Sequence, residues 1–556
     1  MSGVWSLGFF IFLFFQYAEC SLRVDPLVNT NVGLIRGLRA DDGDYAMFMG
    51  IPYAQVDAEN PFGASTPQPK FKETFEAYDG SAICPQVYQL NDTILGNVDC
   101  LQLNIYVPSS ATTNNRLPVM VWIYGGSFRR GFFGKNFYGP KYLVKHDVIV
   151  VALNYRVGAY GFMCLDTPEV PGNSGLKDQL LAMRWIKYNI EAFGGDADKI
   201  TLFGLSAGGH SIDLHLISQK EKLYNNVIIQ TGSSLAATVL YEPDRSAAVK
   251  IAERLGFKTI DTNEAISFLA KIDSNLIVAT AIDLNITFKP CVETEFDGVE
   301  SFISSSWINA EVPKVKNIPV LIGFNEHEMV SFHINKEVEY YKNFDIVSDY
   351  LERIFKFDEE EFEEMKNIIS HYYFGDEAIS EDEQWGVINF DSDFTYIHPI
   401  QRTIQKYLDA GAGNIYYYML SYVGGRNEII IDEHVNSSSS CCAAHADEIA
   451  YLFDLGHKPE PTEKDKVIIE QMTTMWTNFA KFRLVARYLV LYSTVSKELS
   501  KHFPLFSLRY FWNKLLLGYC HLSNTAPNYG VLLRFFFNLI IQKHYSTRKS
   551  NQDHDR

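Results

Sequence analysis

Residues 199–209 read KITLFGLSAGG. A short apolar run leads into Ser206, which is flanked by Gly204, Ala207, Gly208 and Gly209. This G-x-S-x-G pattern predicts a strand that turns sharply into a helix. Only small neighbours leave room for such a turn, which lifts the serine hydroxyl clear of the backbone. The pentapeptide alone is a weak signal, so its surroundings decide the reading.

Apolar β-rich runs alternate with helical patterns up to about residue 480. LPVMVWIY (117–124) and DVIVVALNY (147–155) are near-continuous apolar runs, as expected of strands buried on both faces of a parallel sheet. A helix is expected over 178–193, where Leu181, Trp185 and Ile186 share one face. NNVIIQ (225–230) and IPVLIGFN (318–325) read as further strands. The alternation predicts a doubly wound α/β fold with no internal repeat.

The chain has 556 residues, is 47% hydrophobic and carries a formal net charge of −18. That suits one large α/β domain or a few smaller ones, and an acidic surface argues against nucleic acid as a partner. Residues 1–20 form an apolar block ending in Ala18-Glu19-Cys20. The ending resembles a small-x-small cleavage site, although no Lys or Arg precedes the block. We read a cleaved signal peptide rather than an anchoring helix, because the run falls short of the roughly 20 residues that a span needs. Secretion is therefore expected.

The cysteines read accordingly. Cys84 and Cys100 flank a polar stretch, and a bridge between them would contribute about 3 kcal/mol in the chain-entropy picture. The alternative is two unpaired thiols. Cys164 and Cys291 are expected to be free buried thiols, and adjacent Cys441 and Cys442 are left unassigned. Sequons at Asn91, Asn285 and Asn436 fit a secreted glycoprotein. Composition changes near residue 481: residues 481–556 carry +9, against −26 for 21–480. This basic, aromatic tail, 483–556, reads either as a membrane-surface element or as a segment foreign to the fold.

A serine nucleophile needs a base, an orienting acid and donors for an oxyanion. The loop YGGSF (124–128) follows a predicted strand, and its glycines can turn N–H groups toward a ligand. With GIPYA (50–54), CPQ (84–86), DCLQLNIYVP (99–108), NYRVGAYGF (154–162), GNSGLKDQ (172–179), NIEAFGGD (189–196), GFNEHE (323–328) and AHADEIAYLF (444–453), these motifs resemble the type-B carboxylesterase/cholinesterase family of α/β-hydrolases. The match runs from about residue 26 to 480, within a hydrolase domain taken as 21–482.

The resemblance implies a single catalytic domain built on a central, mostly parallel sheet flanked by helices. It implies hydrolysis of small-molecule carboxylic esters, without metal or cofactor. It puts the acid at Glu328, with Glu326 at the wrong spacing from Gly323, and the base at His445. It leaves His210 and His327 outside catalysis. Oxyanion donors fall on the N–H groups of Gly126, Ser127 and Ala207. Glu448 is similar to a family glutamate that supports the histidine through a hydroxyl, here Thr231. Substrate-lining residues fall in loops after residue 233 and around 328–400. The insect-like HADEIAYLF points to xenobiotic, pheromone or hormone esters.

Departures qualify this. The Cys84–Cys100 loop lacks the choline-binding tryptophan of cholinesterases, so a quaternary-ammonium site is not expected. The family's second disulfide has no cysteines over 254–269. Pro61 and Val98 stand where relatives pair an arginine with a glutamate, and Met329 stands where a glycine is usual. After residue 482 the family's closing strand and helix are not recognisable. Two other functions share the fold: a non-catalytic cell-surface binding protein, and a slow esterase that sequesters its ester.

Overall fold

The apolar runs become neighbouring strands of one ten-stranded sheet. In chain order its strands are β1 (Leu38–Arg39), β2 (Tyr45–Pro52), β3 (Gln102–Pro108), β4 (Leu117–Ile123), β5 (Ile149–Leu153), β6 (Gly195–Leu205), β7 (Asn226–Gln230), β8 (Val320–Asn325), β9 (Ile415–Leu420) and β10 (Gly518–Leu522). This is a computed structural model. It describes residues 26–485 and 518–522, apart from 89–90, 238, 307–309, 335, 343–344, 376–383 and 428–441.

The spatial order is β10-β9-β8-β7-β6-β4-β5-β3-β2-β1. Strands β5, β4, β6, β7, β8 and β9 run parallel. Most of them carry continuous apolar runs, and every residue of β5, β7 and β8 is buried. Both sheet faces must therefore be covered, and helices do so. The α/β-hydrolase fold expected from the sequence is the fold of this chain. The helix expected over 178–193 is α1 (Ser174–Asn189), extended by a 3-10 turn over Ile190–Phe193.

The chain goes from β4 to β5 on one side, then returns to place β6 on the other side of β4. Such a reversal opens a crevice at the carboxyl ends of the two strands, where open α/β sheets bind ligands. The turns after β4 and β6 carry YGGSF and Ser206. Helix α2 (Ala207–Ile217) leaves from the second of these. Between β8 and β9 the chain makes a separate small core from Tyr341, Val347, Leu351, Phe374 and Phe390, among others.

Two buried motifs are tied by charge. Arg156 Nε lies 2.7 Å from Asp178 Oδ2, and neither side chain reaches solvent. Arg156 also donates to Asp178 Oδ1 and to the carbonyls of Pro61 and Gly63. With its donors spread over four acceptors, the guanidinium is compensated for leaving water. Pro61 thus joins this network through its carbonyl rather than a side chain.

Cys84 and Cys100 are bridged, with Cα atoms 5.1 Å apart, and Asn91 stands exposed in the loop that they close. Cys164 and Cys291 are not free thiols. They are buried as expected, but bonded to each other across 127 residues. Gly172 makes room for the pair: a Cβ there would lie 2.5 and 2.7 Å from the two sulfurs. Asn173 then pins the backbone of Cys291, accepting its N–H at 3.0 Å and donating to its carbonyl at 2.8 Å. Cys442 is also disulfide-bonded, while Cys441 lies outside the described residues.

One expectation for the tail is corrected. Gly518–Leu522 pairs antiparallel with β9, Met419 facing Gly518 and Ile415 facing Leu522. Five residues of 483–556 thus form the sheet's edge strand, where no closing strand is recognisable in the sequence. The rest of it beyond Val485, the signal segment 1–20 and Asn436 lie outside the described residues.

Peptide mapping without reduction should recover Cys164 linked to Cys291 beside the Cys84–Cys100 peptide. A Cys164→Ala/Cys291→Ala double variant should melt several degrees lower, since a loop this long gives the unfolded chain freedom worth about 5 kcal/mol. A double variant that melts with the parent would show that this bond adds no stability.

Candidate active site

Ser206 sits between β6 and α2 with φ 54° and ψ −121°, outside the allowed regions for an L-residue. The strain is held by backbone on three sides. Ser206 N–H donates to the Gln230 carbonyl at 2.9 Å, and its carbonyl accepts from His210 N–H at 2.7 Å. On the third side a Cβ on Gly125 would meet the Leu205 carbonyl at 2.7 Å and Ser206 Cβ at 3.1 Å. The turn thus presses directly against the YGGSF loop.

Positive φ recurs around Ser206, at Ser127 (57°), Phe128 (62°), Thr231 (47°) and Ala446 (75°). For a β-branched residue such as Thr231 this is a genuine outlier, and clustered strain of this kind marks functional sites. In YGGSF it aims amides into the crevice. The N–H groups of Gly126 and Ser127, and that of Ala207 at the first position of α2, donate to no protein acceptor among the described residues. Three free donors, one of them at a helix N-terminus, make a ready site for negative charge.

Glu328 lies just past β8 and is fully buried. Its Oε2 is 2.7 Å from His445 Nδ1. Its Oε1 accepts from Thr231 Oγ1 at 2.8 Å and from Asn325 N–H at 2.5 Å. The carboxylate is thus fixed by two donors and directed at the imidazole. Glu326 takes no part in this set of bonds. His445 keeps 18% of its side chain exposed. Burial pulls its pKa down, but the hydrogen bond and charge of Glu328, with Glu448 and Asp447 behind, outweigh that and raise it above 6.5.

Glu448 stands one layer further in. Its Oε2 accepts from Asn325 Nδ2 at 2.6 Å and its Oε1 from Gln230 Nε2 at 3.1 Å. Gln230 in turn accepts from Trp476 of the long helix Glu463–Phe482. Burial, and then the charge of Glu328, push the Glu448 carboxyl up to about 7. Thr231 contacts Glu328 directly rather than bridging Glu448 to the histidine.

The sequence reading missed Tyr396. Its ring stacks on His445 with centroids 4.9 Å apart and planes 18° from parallel. Its hydroxyl lies close to the Ser206 hydroxyl. Tyr396 stands in a π-helical turn, Asp393–Ile397, where one wide turn interrupts the run from Gln384 to Asp409. No spacing rule marks such a turn in advance.

A model of the carboxylesterase family matches residues 24–497. The chain belongs to the carboxylesterase family. Similar curated proteins include esterase FE4 of Myzus persicae, 29% identical over 85% of this chain and 87% of that one. Juvenile hormone esterase of Heliothis virescens is 30% identical over 81% of this chain and 84% of that one. Among solved structures, juvenile hormone esterase from Manduca sexta with OTFP covalently attached superposes with a TM-score of 0.71 at 27% identity, covering 84% of this chain and 91% of that one. This carboxylesterase is accordingly a carboxylic ester hydrolase.

Were His445 to act as a base it would have to be neutral, so activity should fall as pH drops through its raised pKa. Glu448→Gln removes one of the charges that raise it. The acid limb of kcat/KM should therefore move to lower pH, while Glu448→Asp should move it less. An unmoved limb in the Gln variant would mean that Glu448 is already neutral in the working enzyme. Tyr396→Phe keeps the stack and loses only the hydroxyl. It should therefore leave kcat/KM within about tenfold of the parent, the most that one neutral hydrogen bond spans, whereas Tyr396→Ala, which loses the stack, should lower it further.

Proposed function

We propose that this carboxylesterase works through an acyl-enzyme on Ser206, with His445 as base and Glu328 as orienting acid. His445 takes the hydroxyl proton as Ser206 Oγ attacks the ester carbonyl. The N–H groups of Gly126, Ser127 and Ala207 receive the developing oxyanion. The tetrahedral intermediate collapses, the C–O bond to the alcohol breaks, and His445 returns the proton to the leaving oxygen. Water then repeats the sequence on the acyl-enzyme, freeing the acid and restoring Ser206. Glu328 holds the imidazole with its proton on Nδ1 and stabilises the imidazolium. Thr231 and Glu448 hold Glu328 and its surroundings in place.

The observation that carries this reading is the 2.7 Å contact between Glu328 and His445 Nδ1, beside a serine on a strained strand-to-helix turn. The covalent OTFP named in the Manduca sexta structure fits the same chemistry for that relative. Small-molecule esters are the proposed substrates. A secreted location is proposed as well. The two long-range disulfides suit an oxidising compartment, and the sequon residues Asn91 and Asn285 are exposed. Among the described residues no helix is long and apolar enough to cross a membrane.

Ser206→Ala should reduce ester turnover by about 10⁴-fold or more, because these groups act as a unit. Glu328→Gln should cost on the order of 10⁴-fold by leaving the wrong tautomer, whereas Glu326→Gln should cost little. A fluorophosphonate probe should label Ser206 in the parent and not in Ser206→Ala. An unlabelled parent protein would favour the non-catalytic binding reading.

A further inference from the structure

Two polar groups beside the YGGSF loop are not used by the proposed mechanism, Lys289 and His210. The Lys289 ammonium lies over the Phe128 ring, 5.7 Å from its centroid. Phe128 follows Ser127 directly, and its ring is 6.4 Å from that of His210. His210 belongs to the first turn of α2, directly behind Ser206.

Among the described residues Lys289 makes no ion pair or hydrogen bond. The comparison with Lys177 is direct, since that buried ammonium is held by Glu293 at 2.5 Å. His210 has a similar deficit. Its Nδ1 accepts the Ser233 N–H at 2.8 Å, so the ring proton sits on Nε2. That nitrogen has no protein acceptor among the described residues, although the residue as a whole is only 6% exposed. Burial and the Lys289 charge hold the His210 pKa down at about 3, so the ring is a neutral N–H donor. Lys289 itself is lowered to about 8 by burial and by Arg129, and so stays largely charged at neutral pH.

The placement of Lys289 is fixed by covalent and packing contacts. Two residues on, Cys291 is bonded to Cys164, and Phe162 of that second segment packs on Phe128 at 4.9 Å. The ammonium is thereby held over the loop that carries Ser127. A half-buried cation and a neighbouring N–H donor, neither with a protein acceptor among the described residues, favour an anion between or beside them. In the proposed mechanism the leaving oxygen must face His445. That leaves the Phe128 and His210 side of Ser206 for the acyl chain.

We propose that Lys289, with His210, forms an anion subsite on the acyl side of the crevice, selecting esters whose acyl chain ends in a carboxylate. The inference rests on the Ser206 reading and names a substrate class for that site.

The test compares kcat/KM for the 4-nitrophenyl monoester of adipic acid with that for the matching ester in which the far carboxylate is a neutral amide. The parent enzyme should prefer the anionic ester by about tenfold or more, the span of a charge-assisted hydrogen bond. In Lys289→Met the ratio should fall to near one, and Lys289→Arg should recover most of it. Acetate esters of 4-hydroxybenzoate and of its amide place the same charge difference on the alcohol side and should show no such preference. Adipate should also protect Ser206→Ala from heat better than adipamide does, a readout that needs no turnover. A parent ratio near one, a preference that survives Lys289→Met, or a preference only for the alcohol-side anion would each overturn the subsite. Loss of hydrolysis in Ser206→Ala, with adipate protection retained, separates this proposal from the mechanism on which it rests.

Discussion

The site depends on how closely backbone can approach backbone at the turn after β6. Ser206 holds a forbidden conformation only because the chain before and after it has no side chains to keep other strands away. A Cβ on Gly208 would stand 1.9 Å from the Ile123 carbonyl, and one on Gly204 would stand 2.6 Å from the same atom. These two glycines let α2 settle against the end of β4. That settling brings the Ala207 amide beside those of Gly126 and Ser127. The order of strands supplies the crevice, and the small residues let the two loops meet across it.

Charge is arranged with similar economy. Glu328 and Glu448 lie within each other's field, and both are buried. Asn325 serves both, its backbone N–H donating to one and its amide to the other. A single asparagine at the end of β8 thus keeps two carboxyl groups apart while leaving Glu328 aimed at His445. The imidazole feels both charges, so its pKa is a property of three residues and the asparagine between them.

Much of this was legible in the chain. Continuous apolar runs mark β4, β5, β7 and β8, because a strand covered on both faces has no reason to alternate. Ser206, Glu328 and His445 stand in motifs whose spacing reflects local turns, and local geometry leaves local traces. What stayed hidden is non-local. Cys164 and Cys291 give no sign of each other, because 127 residues of folding bring them together. Tyr396 reaches His445 through a π-helical turn with no periodic signature. That Lys289 finds no carboxylate among the described residues could not be read either, since a lysine in sequence does not say what folding provides beside it. The edge strand Gly518–Leu522 was obscured by its setting in a basic, aromatic stretch that differs in composition from the rest of the domain.

The Cys164–Cys291 bond separates two qualities that are often equated. The elements that hold Ser206, Glu328 and His445 do not include either cysteine, so the placing of the proposed nucleophile does not pass through the sulfurs. The wall beside Phe128 does, because the segment that bears Lys289 is anchored there. Protein that lacked this one bond but stayed folded would keep the turn that holds the proposed nucleophile and lose the anchor of the proposed subsite. Titrating the serine would then count such molecules with the rest, while their choice among esters would differ. On these proposals, the number of working centres and the uniformity of their selectivity are separate measures of a preparation.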